Sequence, residues 1–348
     1  MPPKRRANKP APRRKPKKRP VRRVGRWLGL SLLLLAAAAV GTIYYLKPAL
    51  WAQYFPTAQP PPLGREIEST AELQIALARR GFSPGSIDGM SGGQTRIALL
   101  AYQAANQLPQ TGTLDAETAP KLRIKDPVFA QLELSHRDLE KVAPAPQSWR
   151  ERAQLEAMAY NSVLEMVAEH SQSDPDYIMQ LNPSLEWNHL QAGTRIIVPL
   201  IPSFQIPQPL AYLRIGLSER TLQAYDATGQ LQFHCPVSIA RRVEKRPRGE
   251  LAVKVRVKNP NYTFNPEILT TVAQREGITQ KFIIPPGPNN PVGTAWIGLN
   301  LPSYGIHGTP VPEKVGRTES SGCFRLANWN AEILLEAITV GLSVHVEP

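Results

Sequence analysis

The chain has 348 residues, too many for one ordinary domain, and its 42% hydrophobic and 20% charged content suits folded modules rather than a disordered chain. The formal net charge of +13 would suggest nucleic acid, but residues 1–26 hold 13 Lys/Arg and no Asp or Glu, leaving 28 basic against 28 acidic residues elsewhere. A DNA-binding domain carries its basic patch on a folded surface, so no nucleic-acid partner is expected.

Residues 1–26 read as a basic cytoplasmic tail. The next 20 residues, Trp27 to Leu46 ("WLGLSLLLLAAAAVGTIYYL"), carry no charge. At 1.5 Å rise per residue they span a hydrocarbon core of about 30 Å. Trp27 and the pair Tyr44–Tyr45 stand where interfacial aromatics stand, and the positive flank puts the N-terminus in the cytoplasm. A cleaved signal peptide is the alternative, since "AAAAVG" offers small residues. The apolar run continues through "TIYYL", which favours an uncleaved single-pass anchor. Residues 47–67 include "FPTAQPPPLG". Such a tether in polyproline II, at roughly 3.1 Å per residue, reaches about 60 Å.

Residues 68–125 form the first compact unit. "STAELQIALARRG" reads as a helix with Ser69 or Thr70 as cap, Leu73 and Leu77 four apart, and Gly81 as stop. "SPGSIDG" is turn chemistry. A second helix puts Ile97, Leu100, Ala101 and Ala104 on one face, and "LDAETAPKL" suggests a short third. The wording "LQIALARRGF…IDG…T…AYQAANQL…TGTLDAET…L" resembles the peptidoglycan-binding domain family, which implies binding without catalysis.

A linker is expected over 126–156. Residues 157–201 read as strand, helix with Val163, Val167 and Ala168, a Pro-started helix with Ile178 and Leu181, then the strand "TRIIVP". "LNP" followed by "LQAGTRIIVP" resembles the LysM family. That implies a small βααβ module that binds N-acetylglucosamine-containing glycans. A linker domain without a ligand is the alternative.

Residues 210–348 change to period-two alternation: Leu213, Ile215, Leu217; then Leu231, Phe233, Cys235, Val237; then Leu251, Val253, Val255, Val257 opposite Lys254, Arg256, Lys258. This predicts a mostly antiparallel sheet with one buried face. A helix follows with Ile333, Leu334, Ala337 and Ile338 as its apolar face, then the strand "LSVHVE".

The chain has two cysteines. Outside the cytoplasm they could pair. Cys235 is in phase with the buried face of its strand, which makes it a core residue and argues against a disulfide. Cys323 lies instead in the loop "TESSGCFRLAN". Gly322 gives that loop a tight turn and room for a substrate carbonyl, and backbone N–H groups there could stabilise an oxyanion. A thiol needs a base or a positive neighbour to become a nucleophile. Of six histidines, His136, His170 and His189 fall in or between the binding modules. His234 and His345 are out of phase with their buried strand faces, which puts His234 near solvent. His307, in "YGIHGTPVP", ends a strand-like run 16 residues before Cys323. The Pro/Gly-rich excursion between them lets the chain double back.

"IHGTPVPEKVGRTESSGCFRLANWNAEILLEAITVGLSVHV" resembles the catalytic motif of the L,D-transpeptidase family, and "GLSERTLQAYDATGQLQFHCPVSIA" and "PPGPNNPVGTAWIGL" resemble it upstream. The resemblance covers about residues 210–348. It implies Cys323 as nucleophile, His307 as general base, and Gly322 with Cys323 as backbone oxyanion donors. Arg325 matches a motif position that orders the loop or meets a substrate carboxylate. Ser321 stands where a second histidine often does, which leaves the base role to His307. Tyr304 and Gly308 are assigned to substrate binding. "RPRG" departs from a common Thr-Pro-x-Gly and has no account. The activity implied is peptidoglycan cross-linking, or attachment of another amine, on tetrapeptide stems with release of D-Ala, in the periplasm or wall space. Stem peptides and glycan strands are the partners, and no cofactor or metal is implied. An L,D-carboxypeptidase on the same scaffold and a non-catalytic wall-binding protein are the alternatives.

Overall fold

The computed structural model describes residues 64–348. The expected tail, membrane span and nearly all of the tether lie outside the described residues. Among the described residues no helix is long and apolar enough to cross a membrane.

The helical unit comes first. Helix α1 (Thr70–Ala78) is capped by Ser69, whose hydroxyl accepts the Glu72 N–H. Helix α2 (Gly93–Ala105) packs on it through Ala98, Leu99, Ala101 and Tyr102. This corrects the expected inner face, since Ile97 and Leu100 are only half-buried and Ala104 is exposed. The cause is Gln103, whose amide donates to Thr111 and Thr118 hydroxyls and to Thr113 O, and accepts from Gly112 N–H. Fully satisfied, it is buried as an apolar residue would be, and the helix turns to suit it. The third helix shrinks to one 3-10 turn, Ala119–Lys121.

Next come β1 (Phe129–Glu133), α3 (His136–Leu139), α4 (Trp149–Arg152), α5 (Val163–His170), α6 (Pro175–Leu181) and β2 (Arg195–Pro199). The order is βααβ with two short helices inserted, but the first strand is not at the start of 157–201, where it was expected. β1 comes from the segment read as linker and pairs antiparallel with β2, Leu132 opposite Ile196. The stretch before α5 is engaged elsewhere: Tyr160 bridges Val142, and Met158 N–H donates to Pro286 O at 2.8 Å.

The last unit holds β3 (Leu210–Gly216), β4 (Thr221–Asp226), β5 (Leu231–Pro236), β6 (Gly249–Lys258), β7 (Tyr262–Phe264), α7 (Thr270–Glu276), β8 (Phe282–Ile284), β9 (Ala295–Leu299), β10 (Gly305–His307), β11 (Phe324–Arg325), α8 (Asn328–Ala337) and β12 (Ser343–Glu347). Eight strands form one sheet in the order β11-β10-β9-β6-β12-β3-β4-β5. β10 with β11 and β12 with β3 are parallel, and the other pairs are antiparallel. The sheet curls until its ends meet. Ser238, just past β5, exchanges both backbone hydrogen bonds with Arg325 on β11, each at 2.9 Å. The core lies inside the curl and under α8, and includes Phe233, Ile297, Ile306, Phe324 and Leu334. Cys235 is fully buried there, as its phase predicted, and both cysteines are free thiols. β7 and β8 form a separate hairpin that encloses α7 between β6 and β9.

Two alternation-based expectations fail. His234 is 1% exposed rather than near solvent. The helical unit packs on β5 and pairs along its edge: Ser83 N–H donates to His234 O and His234 N–H to Gly81 O, at 2.8 and 2.9 Å. On β6, Val255 and Val257 are exposed, not buried. A register shift against β9 between Val253 and Val255 reverses the phase, and Arg256 instead donates to Ile338 O at the end of α8.

Candidate active site

The parallel pair β10–β11 sets Ile306 opposite Phe324 and His307 opposite Arg325. Ile306 and Phe324 enter the core. Successive side chains alternate, so His307 and Arg325 take the other face, and Cys323 lies two residues before Arg325, in the bend that leads into β11.

Cys323 is half-buried, and its Sγ donates to Ser303 O at 3.5 Å. Burial pushes its thiol pKa up, and the nearby Gly305 backbone N–H pulls it partly back. His307 is buried, stacked on Trp296 with ring centres 5.6 Å apart. Its Nδ1 lies 2.6 Å from Gly308 O. A proton on Nδ1 satisfies that bond and leaves the Nε2 lone pair free. Burial drives its pKa down to about 4; the bond to Gly308 opposes this and the Arg325 charge adds to it. At neutral pH the Cys323 thiol is therefore protonated and the His307 imidazole neutral. Tyr262, on β7, lies close enough that the Cys323 thiolate, after burial, helps push its phenol pKa up.

The loop before the cysteine is organised by Ser320, which the sequence reading missed. Its hydroxyl donates to Cys323 O at 2.5 Å and accepts the Gly322 N–H at 3.3 Å. Ser321 is exposed and takes no part in these bonds. Gly322 is open: a Cβ there would meet only the Tyr304 ring, at 3.9 Å. Tyr304 OH donates to Lys245 O at 3.0 Å and so ties the loop after β5 to this rim. Arg325 donates from Nη2 to Glu319 O, while its buried Nε has no partner among the described residues. Here Arg325 orders the loop. Gly308 lies against Asn328, and a Cβ at this position would stand 2.1 Å from Asn328 Oδ1. It is thus packed rather than open to a ligand. Nothing in the period-two pattern pointed to Ser320, Tyr262 or Asn328, because each acts through a tertiary contact.

A mostly β, curled-sheet catalytic domain beside a helical unit is the class this fold defines. Residues 211–346 match the L,D-transpeptidase catalytic domain, known as YkuD, and residues 67–122 match a family described as "Putative peptidoglycan binding domain". Over residues 211–346 the chain is an L,D-transpeptidase catalytic domain, and the protein is an enzyme of that kind, with a peptidoglycan-binding domain ahead of it. It is 26% identical over 186 residues to "Putative L,D-transpeptidase YkuD" of Bacillus licheniformis, covering 53% of this chain and 93% of that one. It is 27% identical over 172 residues to "Probable L,D-transpeptidase ErfK/SrfK" of Salmonella typhimurium, covering 49% of this chain and 54% of that one. Among solved structures, an L,D-transpeptidase from Mycobacterium smegmatis aligns at a TM-score of 0.31 and 14% identity, over 45% of this chain and 64% of that one. One from Xylanimonas cellulosilytica aligns at 0.32 and 14% identity, over 83% of this chain and 100% of that one. Likenesses this low do not bear on function.

Proposed function

We propose that this protein is a membrane-anchored L,D-transpeptidase that works through a Cys323 acyl-enzyme on peptidoglycan tetrapeptide stems. The observation that supports it most is the register of β10 with β11, which sets His307 opposite Arg325, two residues after Cys323. Cys323 attacks the carbonyl of the third stem residue while His307 Nε2 takes the thiol proton. Collapse of the tetrahedral intermediate breaks the amide bond, and His307 returns the proton to the departing D-Ala amine. An acceptor amine then attacks the thioester and gives its proton to His307, and the thiolate leaves and is reprotonated. The Cys323 N–H has no acceptor among the described residues and suits the developing oxyanion. Gly322 N–H joins it only on leaving Ser320.

The basic tail and the apolar run Trp27 to Leu46 anchor the enzyme in the inner membrane, N-terminus in the cytoplasm and catalytic domain in the periplasm. The peptidoglycan-binding domain and the LysM-like unit hold it on its polymeric substrate and raise the effective concentration of stems.

The test is the detergent-solubilised full chain with purified tetrapeptide muropeptides, read by mass spectrometry beside Cys323→Ala. Cross-linked dimers with loss of D-Ala, absent in the variant, are expected. Tripeptide without dimers would make the enzyme an L,D-carboxypeptidase. No adduct and no product from folded protein that still binds peptidoglycan would make Cys323 a packing residue.

A further inference from the structure

The Gly308–Thr309 peptide group, one residue past His307, is held at both ends. Its carbonyl, Gly308 O, meets His307 Nδ1 at 2.6 Å, and its N–H, on Thr309, donates to Asn328 Oδ1 at 2.9 Å. Asn328 Oδ1 also accepts the Thr294 N–H at 3.3 Å. Two backbone donors on one side of the amide and only acceptors on the other fix which way it points. On the acceptor side Asn328 Nδ2 lies 3.1 Å from each carboxyl oxygen of Glu169 and 3.3 Å from Pro288 O. Gly293 and Gly308 permit the approach, since a Cβ at either would stand about 2 Å from Asn328 Oδ1. Glu169 is on α5, outside the catalytic domain, and is buried with Tyr160 OH donating to it at 3.4 Å.

We propose that Glu169 and Asn328 are positioning residues for His307. In this relay a carboxyl group from the neighbouring unit orients an amide, the amide pins one peptide group, and that peptide holds the imidazole with its proton on Nδ1 and Nε2 toward the thiol. It rests on the reading of His307 as the base. Hydrogen bonds in such a row polarise one another, so a charge on Glu169 strengthens the acceptor that meets His307. The groups facing Glu169 are Tyr160, Glu165, Glu332 and Asn328; burial first, then the Glu165 and Glu332 charges, raise its pKa to about 8. The relay therefore tightens as pH rises past neutrality. It also makes the βααβ unit part of the catalytic apparatus rather than a passive tether.

The test is nitrogen-15 histidine spectroscopy of the full chain, combined with acylation rates at pH 7 and pH 9, for wild type, Glu169→Gln and Asn328→Ala. Wild type should show His307 as one Nδ1–H tautomer, and Asn328→Ala a mixture. The wild-type advantage over Glu169→Gln should grow from about twofold at pH 7 to about tenfold at pH 9, in kcat rather than KM. Glu169→Gln keeps the shape and one of the two acceptors for Asn328 Nδ2 while removing the charge, so it decides the matter if Asn328→Ala does not fold. An unchanged tautomer with a pH-independent ratio would overturn the relay. Because the tautomer is read without turnover, an inactive enzyme would sink the base assignment and leave the relay separately decided.

Discussion

His307 stands opposite Arg325 on the parallel pair β10–β11, and Cys323 lies two residues before Arg325, in the bend that leads into β11. Cys323→Ala should abolish acyl transfer. His307→Gln should lower kcat by about 10²–10⁴, the usual range for a lost general base. The pH dependence follows from the two shifts. The thiol pKa is raised, so kcat/KM should still be climbing in the alkaline range where an ordinary thiol has levelled off. The imidazole titrates at about 4, so no acid limb should appear near the ordinary 6.5. A rate profile from pH 4 to pH 10 checks both, and an acid limb at 6.5 would show that His307 is not the buried neutral base.

Ser320 and Ser321 separate by role. Ser320 ties Gly322 N–H to Cys323 O through one hydroxyl, whereas Ser321 is exposed. Ser320→Ala should cost about 1 kcal/mol of stability, and should slow acylation by loosening the turn that presents the sulfur. Ser321→Ala should be neutral in both. Thermal melts and single-turnover acylation of the two variants make the comparison, and equal effects would contradict the hydrogen-bond assignment.

How much of this could be read from the sequence depended on where the information lay. Local periodicity placed Cys235 in the core and separated it from Cys323, and the turn-like setting of "SSGC" together with the spacing to His307 brought out the pair. Alternation failed wherever a second unit covered a face that a lone sheet would expose, as at His234. It failed again where a one-residue irregularity reversed the phase, as after Val253. The strand β1 was hidden because its partner β2 lies over sixty residues away, and pairing across that distance leaves little local trace. Glu169 sat in plain view as one more helical glutamate, and only the packing of α5 against Asn328 gives it a task.

Trp149 shows the same limit in the segment read as a linker. Its ring packs 5.0 Å from Phe264 and 6.1 Å from Tyr262, and its backbone N–H donates to Glu276 on α7 at 3.0 Å. The hairpin β7–β8 with α7 is thus braced from outside the catalytic domain, beside the sulfur. Trp149→Ala should cost about 2–3 kcal/mol, less than a fully buried tryptophan, since the ring is half-buried. Amide exchange should speed up across residues 262–284, and KM should rise more than kcat falls. Unchanged exchange there would mean that the hairpin stands without the brace.

His234 sets the acid limit of stability. It is buried, its Nδ1 has no partner among the described residues, and burial lowers its pKa from the ordinary 6.5 to about 4. In the unfolded chain the ring takes up a proton as pH falls through 6.5, and in the folded protein it does not until about 4. Across that window the unfolded state binds more protons, so stability falls as pH falls, by up to on the order of 3 kcal/mol from this residue. His307 acts in the same window and the same direction. His170, whose pKa burial also lowers, adds in the same direction, and His234→Leu removes one of these contributions and also the unpaired Nδ1, which is itself a cost of burial. The variant should match or exceed wild type at pH 7 and lose markedly less stability between pH 6.5 and pH 4. Denaturant midpoints at four or five pH values measure the slope, and an unaltered slope would mean that His234 is protonated in the folded state or that the helical unit lifts off β5 before the ring titrates.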